Sequence, residues 1–390
     1  MRRIVTTLAL TALTLAACTD APTSATATSD AVISPITARI EGLRHSALPT
    51  SSVRWHRKAV ALFRVRGGGG RTLTYLGPAQ YRAVLGALRA RTRSSHPSLT
   101  GAAAGASVVV MKQFYPLDAA AIDAEFAAQR AVPGGDDDED DLAAFDAGAA
   151  IGQTVGAAVL AQAATDGLGA TDPGPAPVGP GYWISNGSPP ARGGLGARPF
   201  FLLSTSELRA PPPPAFGSAE FLTALNETKQ FTINRTPEQL AIVRKWVPFS
   251  DVVFDSIGAD LIDKYHRSEF EAAAIFAYAM TADFDAGIAC FDTKYHYWYI
   301  RPSQADAGVL LGTGLPNHPS YPSAHACGNG AVSTILKLAF PRERAYLEAE
   351  SQEGAESRIL GGLHYRFDGE AGLTIGRRAA ELAVLRRGIE

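Results

Sequence analysis

Lys294, Arg301, Ser323, His325, Arg358, His364 and Asp368 fall in three short stretches near the C-terminal end: KYHYWYIRP, YPSAH and SRILGGLHYRFD. Such a set can grip a tetrahedral oxyanion. Two guanidinium groups and an ammonium supply charge against three or four negative oxygens, a hydroxyl and backbone N–H groups add directed donors, and two imidazoles can move protons or bind the central atom.

Spacing says how each group would be presented. Lys294 and Arg301 are seven apart, so on one helix they leave the same face about 20° from alignment. Pro302 disfavours helical geometry at Arg301, which predicts a helix end there. Pro319 and Pro322 exclude a helix before Ser323, while AHACGNGAVSTILKLAF reads as one. Ser323 is thus expected at an N-cap, with unpaired N–H groups and the positive end of a helix dipole behind it, and His325 in the first turn. His364 and Asp368 stand at i and i+4, so the carboxylate can hold the imidazole tautomer. Arg358 lies six before His364, the wrong angle for one straight helix, and Gly361-Gly362 permits a bend between them.

Lysine-x6-arginine-proline, then proline-serine-x-histidine, then serine-arginine-x5-histidine-x3-aspartate resembles the superfamily of vanadium-dependent haloperoxidases and type-2 phosphatidate (acid) phosphatases. One signature position differs: the usual glycine between serine and histidine is Ala324, which keeps the backbone N–H. Weaker likeness to the secreted bacterial haloperoxidase-like branch extends back to about Trp55, through the HPS at 96–98, the PPPP at 211–214 and ADFDAGIACFDTKYHYW.

The resemblance implies that Lys294, Arg301 and Arg358 bind equatorial oxygens, with Ser323 and the Ala324 N–H hydrogen-bonding to them. It implies His364 as vanadium ligand or phosphorylated nucleophile, His325 as the acid–base group opposite, and Asp368 as the group orienting His364. Vanadate and phosphate share shape and charge, so the motifs leave two chemistries open. A haloperoxidase would use vanadate as cofactor and hydrogen peroxide and halide as substrates, Lys294 polarising the peroxide. A phosphomonoesterase would need no cofactor and would pass through a phosphohistidine. A lipoprotein that only binds phosphate is the third reading, against which the two acid–base histidines argue. His318, seven before His325, occupies the place of a histidine near the halide site of algal bromoperoxidases; the plainer reading is that it satisfies a loop carbonyl.

The elements that must position these groups read as helices. Ala- and Leu-rich segments with apolar residues at 3–4 spacing predict helices at 55–65, 78–92, 116–130, 142–165, 217–230, 236–248, 251–300, 325–340, 342–352 and 370–388, with no convincing strand. The expected fold is an all-α helical bundle. A Gly/Pro-rich connection at 166–215 is expected to wrap the surface or help form the pocket entrance. The segment 143–164, built of small residues around Asp146 and Gln153, reads as a tightly packed helix inside a soluble bundle rather than a membrane span.

MRRIVTTLALTALTLAAC reads as a secretory signal, and Leu15-Ala16-Ala17-Cys18 as a lipobox, which predicts an exported lipoprotein touching the membrane only through a lipid on Cys18. The expected division is signal 1–18, tether 19–40, an N-terminal helical part with the connection at 41–215, and a catalytic core at 216–390. About 370 residues remain after the signal, enough for a substantial core. With 36 Lys and Arg against 38 Asp and Glu the net charge is -2, which argues against a nucleic-acid partner. The acidic DDDEDD at 136–141 lacks EF-hand spacing and reads as a solvated turn, and GGGG at 67–70 as a connector. Cys290 and Cys327 could be bonded or free. Asp285 and Asp292 could orient Lys294 or Arg358, or stand as helix-surface carboxylates.

Overall fold

A computed structural model of the chain describes residues 49–67, 70–132, 142–187 and 189–386. The signal with Cys18, the tether, the acidic run at 136–141 and the middle of GGGG lie outside them. The described residues hold thirteen α-helices and no strand, only an isolated bridge between Tyr182 and Tyr299. In chain order these are α1 (Ser51–Arg66), α2 (Gly70–Ala90), α3 (Leu99–Phe114), α4 (Ala119–Ala131), α5 (Leu142–Ala164), α6 (Ala219–Ile233), α7 (Pro237–Lys245), α8 (Ser250–Lys264), α9 (Glu269–Tyr297), α10 (Pro302–Ala305), α11 (Ala324–Ala339), α12 (Arg344–Leu360) and α13 (Arg366–Arg386). The expected all-α bundle is the one observed.

The bundle is organised around α9, which packs against α2, α11 and α13 and is buried along nearly its whole length. The apolar run expected as one helix over 251–300 is two. Ser268 and Glu271 form a capping box in which the Ser268 hydroxyl accepts from Glu271 N and the Glu271 carboxylate accepts from Ser268 N, so a new helix starts at Glu269.

Helix α3 escaped the reading of hydrophobic period because LTGAAAGASVV is buried almost all round and has no polar face. It lies against α5 through small residues: a Cβ on Gly152 would stand 2.1 Å from the Ala102 carbonyl oxygen, and one on Gly105 2.2 Å from that of Ala149. Both α5 and α9 are long and apolar enough to cross a membrane by length and composition, yet 78% of the apolar window of α9 is buried within the fold against 33% for α5. Helix α5 therefore packs tightly on one face only and stands at the edge of the bundle, not inside it.

Asp285 and Asp292 turn out to hold the Gly/Pro-rich connection, not the site cations. Asp285 is fully buried and accepts from Phe200, Phe201 and Leu202 N at 2.8, 2.7 and 3.1 Å, and Asp292 takes Arg209 at 2.7 and 3.0 Å. Three tyrosine hydroxyls fasten the proline run, Tyr297 donating to Ala210 O, Tyr321 to Pro211 O and Tyr299 to Pro214 O. A segment without periodicity thus gains order from side chains of α9 and the loops beyond it. Asp285→Ala, which leaves three N–H groups unpaired, two of them buried, is expected to cost about 2–4 kcal/mol in urea denaturation and to open 166–215 to proteolysis. An unchanged midpoint with an unchanged digest would refute this assignment.

Candidate active site

Pro319 and Pro322 keep the segment before Ser323 non-helical, and Ser323 caps α11 with its Oγ accepting from Ala326 N at 3.4 Å. Ala324 is then the first helical residue; it is absent from the residues with positive φ, so its methyl group causes no backbone strain. The Ser323 N–H donates to Asp368 O at 2.9 Å, which ties the start of α11 to that of α13.

Lys294 and Arg301 do not share a helix face. Trp298 adopts left-handed geometry (φ 51, ψ 37) directly after α9. Its indole packs against Tyr295 at 4.9 Å and Trp183 at 6.1 Å, and these contacts hold the turn. Arg301 therefore lies beyond the turn as N-cap of α10, with Pro302 opening that helix rather than closing α9. Both cations reach the same buried centre by different routes. The Lys294 ammonium donates to the carbonyls of Pro319 and Ser320 at 2.8 Å and to that of Pro322, so its three protons hold the loop that leads into Ser323.

Arg301 is the hub of the site. It is fully buried, Nη1 lies 2.8 Å from Leu363 O and 3.0 Å from His364 Nε2, and Nη2 lies 3.0 Å from His318 Nδ1 and from His318 O. A guanidinium can only donate, so His364 Nε2 must carry the lone pair. Its proton then sits on Nδ1 and is donated to Asp368 Oδ2 at 2.7 Å. The tautomer is fixed from both sides. Asp368 Oδ2 also accepts from Ser320 Oγ at 2.6 Å and from Tyr365 N at 3.3 Å. His318 Nδ1 also lies 3.1 Å from Pro319 O, but that bond would require a proton on Nδ1. Burial and then Lys294 and Arg301 push the ring well below the usual imidazole range, so it is neutral, and because a guanidinium can only donate, Arg301 leaves the lone pair on Nδ1.

The Gly361-Gly362 bend forms as expected: α12 ends at Leu360, Gly362 takes φ +76, and the chain re-enters at Arg366. Arg358, 2% exposed in the last turn of α12, donates from Nη2 to Val243 O at 3.0 Å and from Nε to Ser357 Oγ at 2.9 Å. Its charge acts on His325, whose ring stacks on Phe249 at 5.5 Å and whose Nε2 is buried without a partner. Burial, then Arg358, lower His325 to about 3, with the Pro248 and Trp246 carbonyls opposing. The ring is neutral at ordinary pH. Lys294, Arg301, His318, Ser323, His364 and Asp368 are joined through Arg301, Asp368 and the 319–323 loop, while Arg358 acts on His325.

Charge in this centre is unbalanced. Burial lowers Lys294 to about 8 and Arg301 and Arg358 to about 10, while it raises Asp368 to about 6. Lys294 and Arg301 act on the single carboxylate of Asp368, Arg358 adds its charge at His325, and the orphaned His325 Nε2 and the lone pair on His364 Nε2 belong to the same centre. That donor set fits an anionic oxo group with a central atom open to a nitrogen ligand. The chemistry available is electrostatic stabilisation of an oxyanion, ligation or nucleophilic attack at Nε2 of His364, and proton transfer at Nε2 of His325.

Sequence reasoning missed Ser320, whose hydroxyl shares Asp368 with His364; the proline context marked a loop but not which hydroxyl faces the carboxylate. It also missed Phe249 and Phe291, which pack against His325 and, at 5.2 Å, against His318. Together with Ala324 these two rings line a cavity of about 330 Å³ adjoining the site. Cys290 and Cys327 are free, buried thiols hydrogen-bonded to one another.

Comparison with known proteins places the all-α bundle that surrounds this cation-rich centre. The bacterial vanadium-dependent iodoperoxidase superposes with a TM-score of 0.67 at 20% identity, over 92% of this chain and 96% of that one. The holo form of a bacterial vanadium-dependent chloroperoxidase gives 0.62 at 16% identity, over 92% and 96%. The chain has the fold of these haloperoxidases. In sequence it is 34% identical to the vanadium-dependent bromoperoxidase of Ascophyllum nodosum over a stretch amounting to 16% of each chain. No protein-family model matches it.

Proposed function

We propose that this protein is a vanadium-dependent haloperoxidase, oxidising halide with hydrogen peroxide. The observation that carries the reading is the His364 imidazole, whose Nε2 lone pair is fixed by Arg301 on one side and Asp368 on the other within a cation-rich centre. The fold shared with an iodoperoxidase and a chloroperoxidase supports it.

His364 Nε2, on giving up the N–H of Arg301, would hold the vanadium; Arg301 and Arg358 would supply charge against its oxygens, and the Ser323 hydroxyl and Ala324 N–H would donate to them. Lys294 would join that set if one of its three loop carbonyls gave way to an oxygen. When bound, vanadate supplies a Lewis-acidic centre that activates hydrogen peroxide toward halide. The protein's own work is then specific. Asp368 keeps the proton on Nδ1 of His364, and Nε2 of His325, neutral and without a partner, would be the group that takes up and returns a proton at the bound substrate. His318, fastened to Arg301 and walled by Phe291, is the side chain through which we expect the halide preference to be tuned. We further infer from the lipobox at Cys18 that the enzyme is exported and lipid-anchored.

The test is direct. Purified protein loaded with vanadate should brominate an indicator dye only with peroxide and bromide both present. A flat trace at full vanadium occupancy rejects the reading; aryl-phosphate hydrolysis that vanadate inhibits would replace it with a phosphomonoesterase.

A further inference from the structure

The cavity beside the oxyanion centre has a chemistry of its own. Its walls include Phe63, Phe249, Phe284 and Phe291, from α1, the start of α8 and α9, and it ends on Ala324. Two carboxylates line it, Asp251 at the start of α8 and Asp283 on α9. Asp251 is 6% exposed, and its Oδ1 accepts from Val252 N at 2.9 Å, a bond at its own helix start. Asp283 has neither a hydrogen bond nor an ion pair among the described residues. Two glycines make room for them. A Cβ on Gly328 would stand 2.5 Å from Asp283 Oδ1 and 2.0 Å from Ser250 Oγ, and one on Gly70 3.1 Å from Asp251 Oδ2.

The cation in the lining does not balance this pair. Arg71 Nη2 lies 2.8 Å from Asp166, whose Oδ2 also accepts from Tyr75 OH at 2.7 Å, and the same guanidinium donates to Ala163 O. Its charge is satisfied away from the two carboxylates. Burial, then the neighbouring Asp251, raise Asp283 well above the usual carboxylate range; burial, with Asp255 adding to it, raises Asp251 to about 6. Two carboxylates without a counter-cation among aromatic faces favour a ligand with a positive end and a flat apolar body.

We propose that this cavity binds the organic acceptor of the reaction, and that Asp251 and Asp283 select an aromatic molecule bearing a protonated amine. The ammonium end would sit between the two carboxylates and the ring among the phenylalanines, next to Ala324 and the histidines. The volume suits a single-ring molecule. The inference deepens the haloperoxidase reading for turnover, but binding can be measured without it.

Three phenols of similar size separate the possibilities: tyramine (cationic), 4-ethylphenol (neutral) and 4-hydroxyphenylacetate (anionic). Calorimetric titration of the full chain, without peroxide, should show tyramine binding about tenfold or more tighter than 4-ethylphenol, with the anion weakest. Asp283→Asn, and separately Asp251→Asn, which keeps an acceptor for Val252 N, should each reduce the tyramine preference several-fold, with the folded far-ultraviolet spectrum retained. In the halogenation assay, KM should rank the three probes in the same order. Equal affinity for the three probes, or a preference unmoved in both variants, overturns the proposal. Binding selectivity without halogenation would overturn the haloperoxidase reading alone, and halogenation without selectivity would overturn this inference alone.

Discussion

His364→Ala is expected to lower peroxide-dependent bromination by about a thousandfold or more and to abolish tight vanadate binding, since it removes the central-atom ligand as well as its proton network. The change leaves the neighbours provided for. Arg301 Nη1 keeps its bond to Leu363 O, and Asp368 Oδ2 keeps Ser320 Oγ and Tyr365 N. The main-chain bond from Thr228 Oγ1 to His364 O is untouched. Loss of activity is therefore expected without loss of fold. Vanadium content after dialysis, turnover and a thermal melt on the same preparation decide it. A variant that retains vanadium and turns over at the wild-type rate would remove His364 from the mechanism.

How far the site could be read from sequence depends on whether a local rule governed each residue. Ser323 and the Gly361-Gly362 bend were legible because proline before a small-residue helix, and paired glycine after one, set the backbone whatever surrounds them. The His364–Asp368 bond was legible from i, i+4 spacing even though His364 sits just before α13. Where tertiary packing decides, the reading failed. Nothing in KYHYWYIRP marks Trp298 for left-handed geometry; only Tyr295 and Trp183, brought from 115 residues upstream in the latter case, hold it there. The partners of Asp285 and Asp292 were illegible for the same reason, since 200–209 has no pattern that predicts its path. Ser320 and Asp368 are 48 residues apart, and no local rule pairs them.

The same limit applies to Lys294, where type and spacing pointed to a ligand and the geometry adds a second role. Lys294→Met is expected to destabilise the protein by about 3 kcal/mol or more, because it strands the buried carbonyls of Pro319, Ser320 and Pro322. The pH dependence separates this role from a purely catalytic one. Burial holds the folded-state Lys294 at about 8, below its ordinary 10.5, so the folded protein favours the neutral amine. Wild type should gain stability relative to Lys294→Met as pH rises from about 8 to about 10.5; that gain is lost as pH falls back from about 10.5 to about 8, and the difference stays level below about 8, where both states are protonated. Added vanadate, by supplying negative charge beside the ammonium, should flatten that difference. Urea denaturation of both proteins at several pH values between 7 and 11 reads the sign. A stability difference near zero and independent of pH would show that Lys294 serves the ligand alone; a large one places the loop carrying Ser323 under its control, so that the residue building the oxyanion site is also the one that charges it.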